Sequence, residues 1–225
     1  MASLEINEII RTRRKSIALI VLRDGRLIVR APLRTSQRSI MDFVQQNSAW
    51  VEKQRQKMKA LPPANMVHHF TEGEKFLYLG QTFCLQLTQK QHPALVLNSH
   101  FLLNKDKQVT AKTVFEKWYK ARAANLFSER ALQLAQQHNF SFKKLRITSA
   151  KTRWGSCSSR GSINFSWRLV MAPLEIIEYV IIHELVHTVI PNHSQTFWKR
   201  VEEIVPDYKL RRKWLKQNGH LLNLE

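Results

Sequence analysis

The strongest constraint on this chain is a short pattern, His183-Glu184-Leu185-Val186-His187, with His193 six residues further on. On a helix, two histidines four apart lie about 40° apart around the axis, so both imidazoles can reach one ion. Glu184 then sits beside that ion without being a ligand, which is the position of a general base for metal-activated water. On an unbroken helix His193 would be carried about 240° past His187, off the metal face, so the chain must turn between them. Pro191 lacks an amide proton and disfavours helix at Ile190, and Asn192 tolerates the left-handed conformation that ends many helices. His183, His187 and His193 are therefore the expected metal ligands, Glu184 the expected base and Zn2+ the expected ion, with a fourth tetrahedral position left for water. The spacing matches the metzincin pattern, but Ile190 stands where that pattern has a glycine, and no Met-turn is evident.

The flanks support a buried helix. Pro173 suits a first helical turn, and Glu175 and Glu178 lie near its positive end. Ile176 to Ile182 is apolar almost all round, as in a helix at the centre of a domain. Two histidines and a glutamate in such a helix are costly unless paired or metal-bound.

At 225 residues with 44% hydrophobic side chains, the chain has enough apolar sequence for a folded core. It carries 36 Lys+Arg against 17 Asp+Glu, a net charge of +19, spread evenly over both halves. That field favours polyanions, so contact with nucleic acid or nucleotides through a basic surface is an expectation, against the plainer reading of a solvated surface. Cys84 and Cys157 form no Cys-x-x-Cys pair, which excludes a zinc ribbon and a disulfide framework. The apolar run Ile17 to Leu22 is too short for a signal peptide or membrane span, so a cytoplasmic setting is expected.

Along the chain, residues 16–31 read as a hairpin around Asp24-Gly25, followed by a helix from about Thr35 with Ile40, Phe43, Val44, Trp50 and Val51 inward. Leu61 to Asn65 ends that segment. Short strands flank Gly80, and a further hairpin is expected at Asn98-Ser99. A long helix from about Val109 to His138 would bury Val114, Phe115, Trp118, Leu126, Phe127, Leu132 and Leu134. Strands are expected at Leu145–Ser149 and over the alternating run Ile163 to Leu169, with Gly155 and its neighbouring serines as a turn between two strands. A helix capped by Ser194 and a last one from Asp207 to Gln217 complete the chain. The expected fold class is α+β, with a β-rich N-terminal region carrying one helix over 1–105 and a zincin-like α/β catalytic region over 106–225.

Several segments together resemble a known family. They are Arg153-Trp154-Gly155-Ser156-Cys157-Ser158, Trp167 to Pro173, the His183 to His187 motif, Asn192-His193-Ser194 with Phe197-Trp198, and Pro206 to Leu215. Arg13 to Ser16 and Tyr78-Leu79-Gly80 add to them. The chain resembles the YgjP-like metallopeptidase family, related to the SprT-like zinc proteases. The resemblance implies a metal-dependent hydrolase with His183, His187 and His193 as ligands and Glu184 as base. SprT-like relatives are associated with degrading proteins bound to DNA, an analogy that does not by itself fix a substrate.

The leading expectation is thus a zinc metallopeptidase acting on a protein or peptide. A metal-dependent hydrolase of nucleotides or phosphate esters, and a nucleic-acid-binding module with structural zinc, are the alternatives. For a second donor to the developing oxyanion the candidates are Lys151, Arg153, Arg168, Tyr208 and Arg211. Cys157 reads as a small buried thiol rather than a nucleophile, since no oriented base can be placed beside it. Ile163 to Leu169 is either an edge strand that accepts an extended peptide or a core strand with both edges occupied. In the terminal helix, Lys209, Arg211, Arg212, Lys213 and Lys216 form a candidate polyanion face, with Leu210, Trp214 and Leu215 inward.

Overall fold

In this computed structural model the described residues are 4–22, 25–59, 68–89 and 92–224. They are α+β and fall into two compact units, Met1–Asn65 and Met66–Glu225.

In the first unit, β1 (Glu8–Thr12), β2 (Ala18–Val21) and β3 (Leu27–Pro32) form a sheet in the order β1-β3-β2. β2 and β3 are the expected hairpin; β1 pairs with β3 in parallel, a long-range pairing. Asp24 of the expected turn lies outside the described residues, as do Leu61 to Asn65. Alternation along β3 turns Leu27, Val29 and Ala31 to one side, where all three are fully buried against Ile40, Val44 and Val51. The single expected helix is two, α1 (Gln37–Gln46) and α2 (Ser48–Lys59). Asn47 divides them by bonding its side-chain amide to the Phe43 carbonyl at 2.8 Å, and Trp50 consequently stays 44% exposed.

The second unit contains two sheets joined by one long helix. β4 (Lys75–Tyr78), β5 (Gln81–Thr88), β6 (Leu95–Leu97) and β7 (Phe101–Asn104) lie in the order β4-β5-β7-β6. β8 (Lys144–Thr148), β9 (Gly155–Cys157) and β10 (Ser162–Ser166) lie in the order β8-β10-β9. Between them runs α3 (Ala111–Gln137), preceded by a 3-10 turn at Lys105–Thr110. Its buried residues, Ala111, Phe115, Tyr119, Ala123, Phe127, Ala131 and Ala135, recur every fourth position. Each step of four advances about 40° around the axis, so the buried stripe winds round the helix. Phe115 and Tyr119 accordingly meet the first sheet, with Phe115 stacked on Phe76 at 4.4 Å, while Phe127 meets Phe165 of the second at 5.7 Å. Leu132, expected inside, is 62% exposed, because small alanines bring the helix close and leave that face to solvent.

This packing moves the domain boundary. Residues 68–104 were expected to belong to the N-terminal region, but their aromatic face is completed by α3. The Tyr119 hydroxyl donates to the Leu77 carbonyl at 2.6 Å. The β4–β5 turn also grips the segment that leads into the metal-motif helix: the Leu79 and Gly80 amides bond the Val170 and Met171 carbonyls at 3.0 Å. Gly80, at φ 76°, leaves no room for a Cβ, which would lie 2.8 Å from Pro173.

Two expectations within the second sheet are corrected. Gly155 opens strand β9 rather than forming a turn; the reversal follows at Ser158 to Gly161, closed by the Gly161 amide on the Ser158 carbonyl at 2.9 Å. The Ile163 to Leu169 run is strand only to Ser166, then a 3-10 turn over Trp167–Met171. Its strand is central, the core-strand alternative, with β8 and β9 as the two edge strands of the sheet.

Candidate metal centre

The motif lies on α4 (Leu174–Val186), which starts directly after Pro173. Ile176, Ile177, Val180, Ile181, Leu185 and Val186 are buried, so the helix is enclosed as its all-round apolarity predicts. It ends one residue before His187, and the chain then tightens: the Ile190 amide bonds the Val186 carbonyl at 2.8 Å, and the Thr188 hydroxyl the Leu185 carbonyl at 2.7 Å. Left-handed residues other than glycine occur at Phe70, Leu79 and Asn139, not at Asn192, so the turn is made by this tightening and by Pro191.

The turn brings the third imidazole back. Nε2 of His193 lies 3.0 Å from Nε2 of His183 and 3.2 Å from Nε2 of His187. His187 Nδ1 lies 3.1 Å from the Ile190 carbonyl oxygen, which can only accept, so Nδ1 carries the proton and Nε2 presents its lone pair inward. Beneath the three rings lies Phe197 of α5 (Gln195–Ile204), with centroids at 4.9, 4.4 and 4.8 Å from His183, His187 and His193. Ser194 caps α5 by accepting the Phe197 amide at 3.3 Å, which fixes this floor, and Trp198 stacks on His193.

Burial and the neighbouring imidazoles, with Arg212 beyond them, push His183 down to about 3. His193 is also lowered, by burial, His187 and Arg212. Two of the three rings are thus held neutral, the ligand form of imidazole. Among the described residues this is the one cluster of three or more His, Cys, Asp or Glu side chains able to hold a metal. Neutral nitrogens converging from a helix and its following loop fit a borderline-soft divalent ion such as zinc.

Glu184 is 4% exposed, and burial raises its carboxyl to about 8. Its Oε2 has no hydrogen-bond partner within the protein. Gly155 of β9 lies directly against it: a Cβ there would come within 2.7 Å of Glu184 Cγ and 2.8 Å of Cδ. A cavity of about 380 Å³ opens over the three histidines and Glu184, walled by Arg153 and by residues 155–159. A second, of about 260 Å³, reaches His183 and Glu184 from the side of Tyr179, Arg212 and Leu215.

Residues 15–218 match the family described as YgjP-like, metallopeptidase domain. The chain belongs to the YgjP-like family. That membership makes this protein a metallopeptidase-family member whose site calls for a divalent metal. A solved structure, the metallopeptidase zymogen of Pyrococcus abyssi abylysin, is 23% identical, with 40% of this chain and 93% of that one covered and a TM-score of 0.37. Among curated proteins none matches. No helix among the described residues is long and apolar enough to cross a membrane.

The five donor candidates separate clearly. Arg153 lines the cavity over the histidines. Arg168 is buried, donates to the Ser149 carbonyl at 3.1 Å and lies over Trp167, a structural role. Arg211 is held by Asp207 and the Glu175 carbonyl, and Tyr208 is buried and stacked on Trp198. Lys151 is not among the residues lining either cavity. Arg212, read only as part of a basic face, lies over Trp198 at 5.0 Å and lines the second cavity. Its signal was its position within the family segment Pro206 to Leu215. On α6 (Tyr208–Asn218) Lys209 is paired with Glu202 at 3.1 Å, and Leu210, expected inward, is 67% exposed. The helix therefore offers a smaller free basic face than its composition suggests. Cys157 is half-buried, with its thiol raised by burial and by the Glu184 charge, the opposite of an activated nucleophile.

Proposed function

We propose that this protein is a zinc-dependent endopeptidase in which His183, His187 and His193 hold the ion and Glu184 is the general base. The observation that carries this reading is the convergence of three imidazole Nε2 atoms beside a buried carboxylate at the floor of an open cavity. Zinc, when bound, would lower the pKa of a coordinated water towards about 7 and polarise the scissile carbonyl. Glu184, whose ionised form a bound cation beside it would favour against the effect of burial, would take the proton of the attacking water on a carboxylate oxygen and pass it to the leaving nitrogen. Gly155 holds that carboxylate in place, because its bare backbone is what lets β9 approach so closely. Arg153 and Arg212, which line the two cavities that reach Glu184, would be the cations to face the carbonyl oxygen as charge develops on it.

β9 lies at the edge of its sheet and walls the cavity, so an extended substrate can add to it as a further strand. The net charge of +19 supports substrates met on or near nucleic acid, and the two free cysteines suit a reducing, cytoplasmic setting. The nucleotide-hydrolase alternative uses the same three histidines; family membership favours the peptide.

The test is mass spectrometry of mixed proteins and nucleotides incubated with zinc-loaded protein, with and without DNA, against Glu184→Gln. New peptide ends made by the wild type alone support the reading. Intact proteins beside hydrolysed nucleotides overturn it.

A further inference from the structure

A hollow of about 680 Å³ lies away from the histidines, between β6 and α3. Ligand sites commonly span about 300–1,000 Å³ and are mainly apolar with a few polar groups. One wall is the β6 segment with Leu95 and Val96; the other is a stripe of α3 containing Val114, Trp118 and Ala121. Trp118 gives that wall a fixed surface, since its ring packs against Tyr78 and Phe101, each at 5.1 Å.

Two further observations identify an occupant. First, β6 is the end strand of its sheet and pairs only with β7, so among the described residues its other edge carries no strand. A free edge beside an apolar slot suits an extended chain, which can bond along the strand while alternate side chains enter the slot. Second, Lys107, Lys117 and Arg122 line the hollow, with Arg122 lying over Trp118, and none of the lining side chains is acidic.

We propose that the groove between β6 and α3 binds an extended peptide that turns both apolar and acidic side chains towards the helix. The apolar side chains lie against Val96, Val114 and Trp118, and the acidic ones face Lys107, Lys117 and Arg122. This site shares no lining residue with the metal centre, and the proposal does not depend on catalysis there.

The test is fluorescence anisotropy with the full chain and two labelled octapeptides, one of valines and glutamates in adjacent pairs and one of valines and lysines in adjacent pairs, so that each face of the strand carries both kinds. The acidic peptide binds saturably and the basic one does not. Because a chain of net charge +19 attracts any acidic peptide, the deciding variant is Ala121→Trp. It fills the groove from an exposed position without changing charge, and it weakens binding at least about tenfold. The pair Lys117→Glu and Arg122→Glu, both exposed, weakens it about as much and decides the matter if Ala121→Trp does not fold. Equal binding of the two peptides, or unaltered binding by folded Ala121→Trp, overturns the proposal. So does binding of laurate, blocked by Ala121→Trp, where neither peptide binds, since the groove would then serve a small amphiphile.

Discussion

Replacing Gly155 by alanine probes how the base is held. A Cβ at this position would sit 2.7 Å from Glu184 Cγ and 2.8 Å from Cδ. Comfortable carbon contacts lie at about 3.5–4.0 Å, so strand or carboxylate must yield by roughly 0.8 Å. Glu184 is enclosed and rides on a helix packed on all sides, so β9, an edge strand, or the carboxylate itself gives way. Gly155 lies outside the left-handed region, so alanine brings no backbone strain of its own. A catalytic group displaced by about 1 Å costs on the order of a hundredfold in rate. Overpacking should remove about 1–3 kcal/mol of stability. Casein cleavage rates with zinc-loaded protein, with thermal melts and metal content measured alongside, should show kcat/KM down about a hundredfold with zinc retained. Wild-type rate and stability in Gly155→Ala would refute the contact and the positioning role built on it.

Phe197→Ala should cost about 3–5 kcal/mol and weaken zinc binding by about tenfold or more, read by denaturant unfolding and metal titration. Adding zinc at a hundred times its dissociation constant should stabilise the protein by about 2.7 kcal/mol, reversed by a chelator and followed by thermal melts. His138, lowered first by burial and then by the Arg200 charge, should titrate below about 6.5 in an NMR pH series. A depressed histidine contributes stability above its unfolded pKa that is lost as pH falls through the folded one. Arg200→Ala should raise the titration midpoint, and an unchanged midpoint would reject that assignment.

The gathering of His183, His187 and His193 was legible because its information is local. Four-residue spacing, a proline break and a capping serine at Ser194 act over a dozen residues, and the geometry follows them. The domain boundary was not, because β4 to β7 look self-sufficient as strands while their covering helix, α3, lies further along the chain. The stripe of alanines that lets α3 pack closely is nearly silent in a hydrophobicity pattern, so Leu132 was assigned to the core in its place. Gly155 read as a turn residue because its reason, a carboxylate some thirty positions later, is a tertiary contact. Arg212 was grouped with solvent-facing cations because sequence shows density of charge but not which member bends toward a cavity. The parallel pairing of β1 with β3 likewise has no local signature.

Zinc K-edge X-ray absorption on protein loaded with one equivalent of metal tests the central claim most directly. Three imidazole nitrogens and one oxygen at about 2.0–2.1 Å, with one imidazole lost in His193→Ala, is the predicted outcome. A sulfur at about 2.3 Å, which Cys157 would supply, or a coordination shell indifferent to His193, would contradict it.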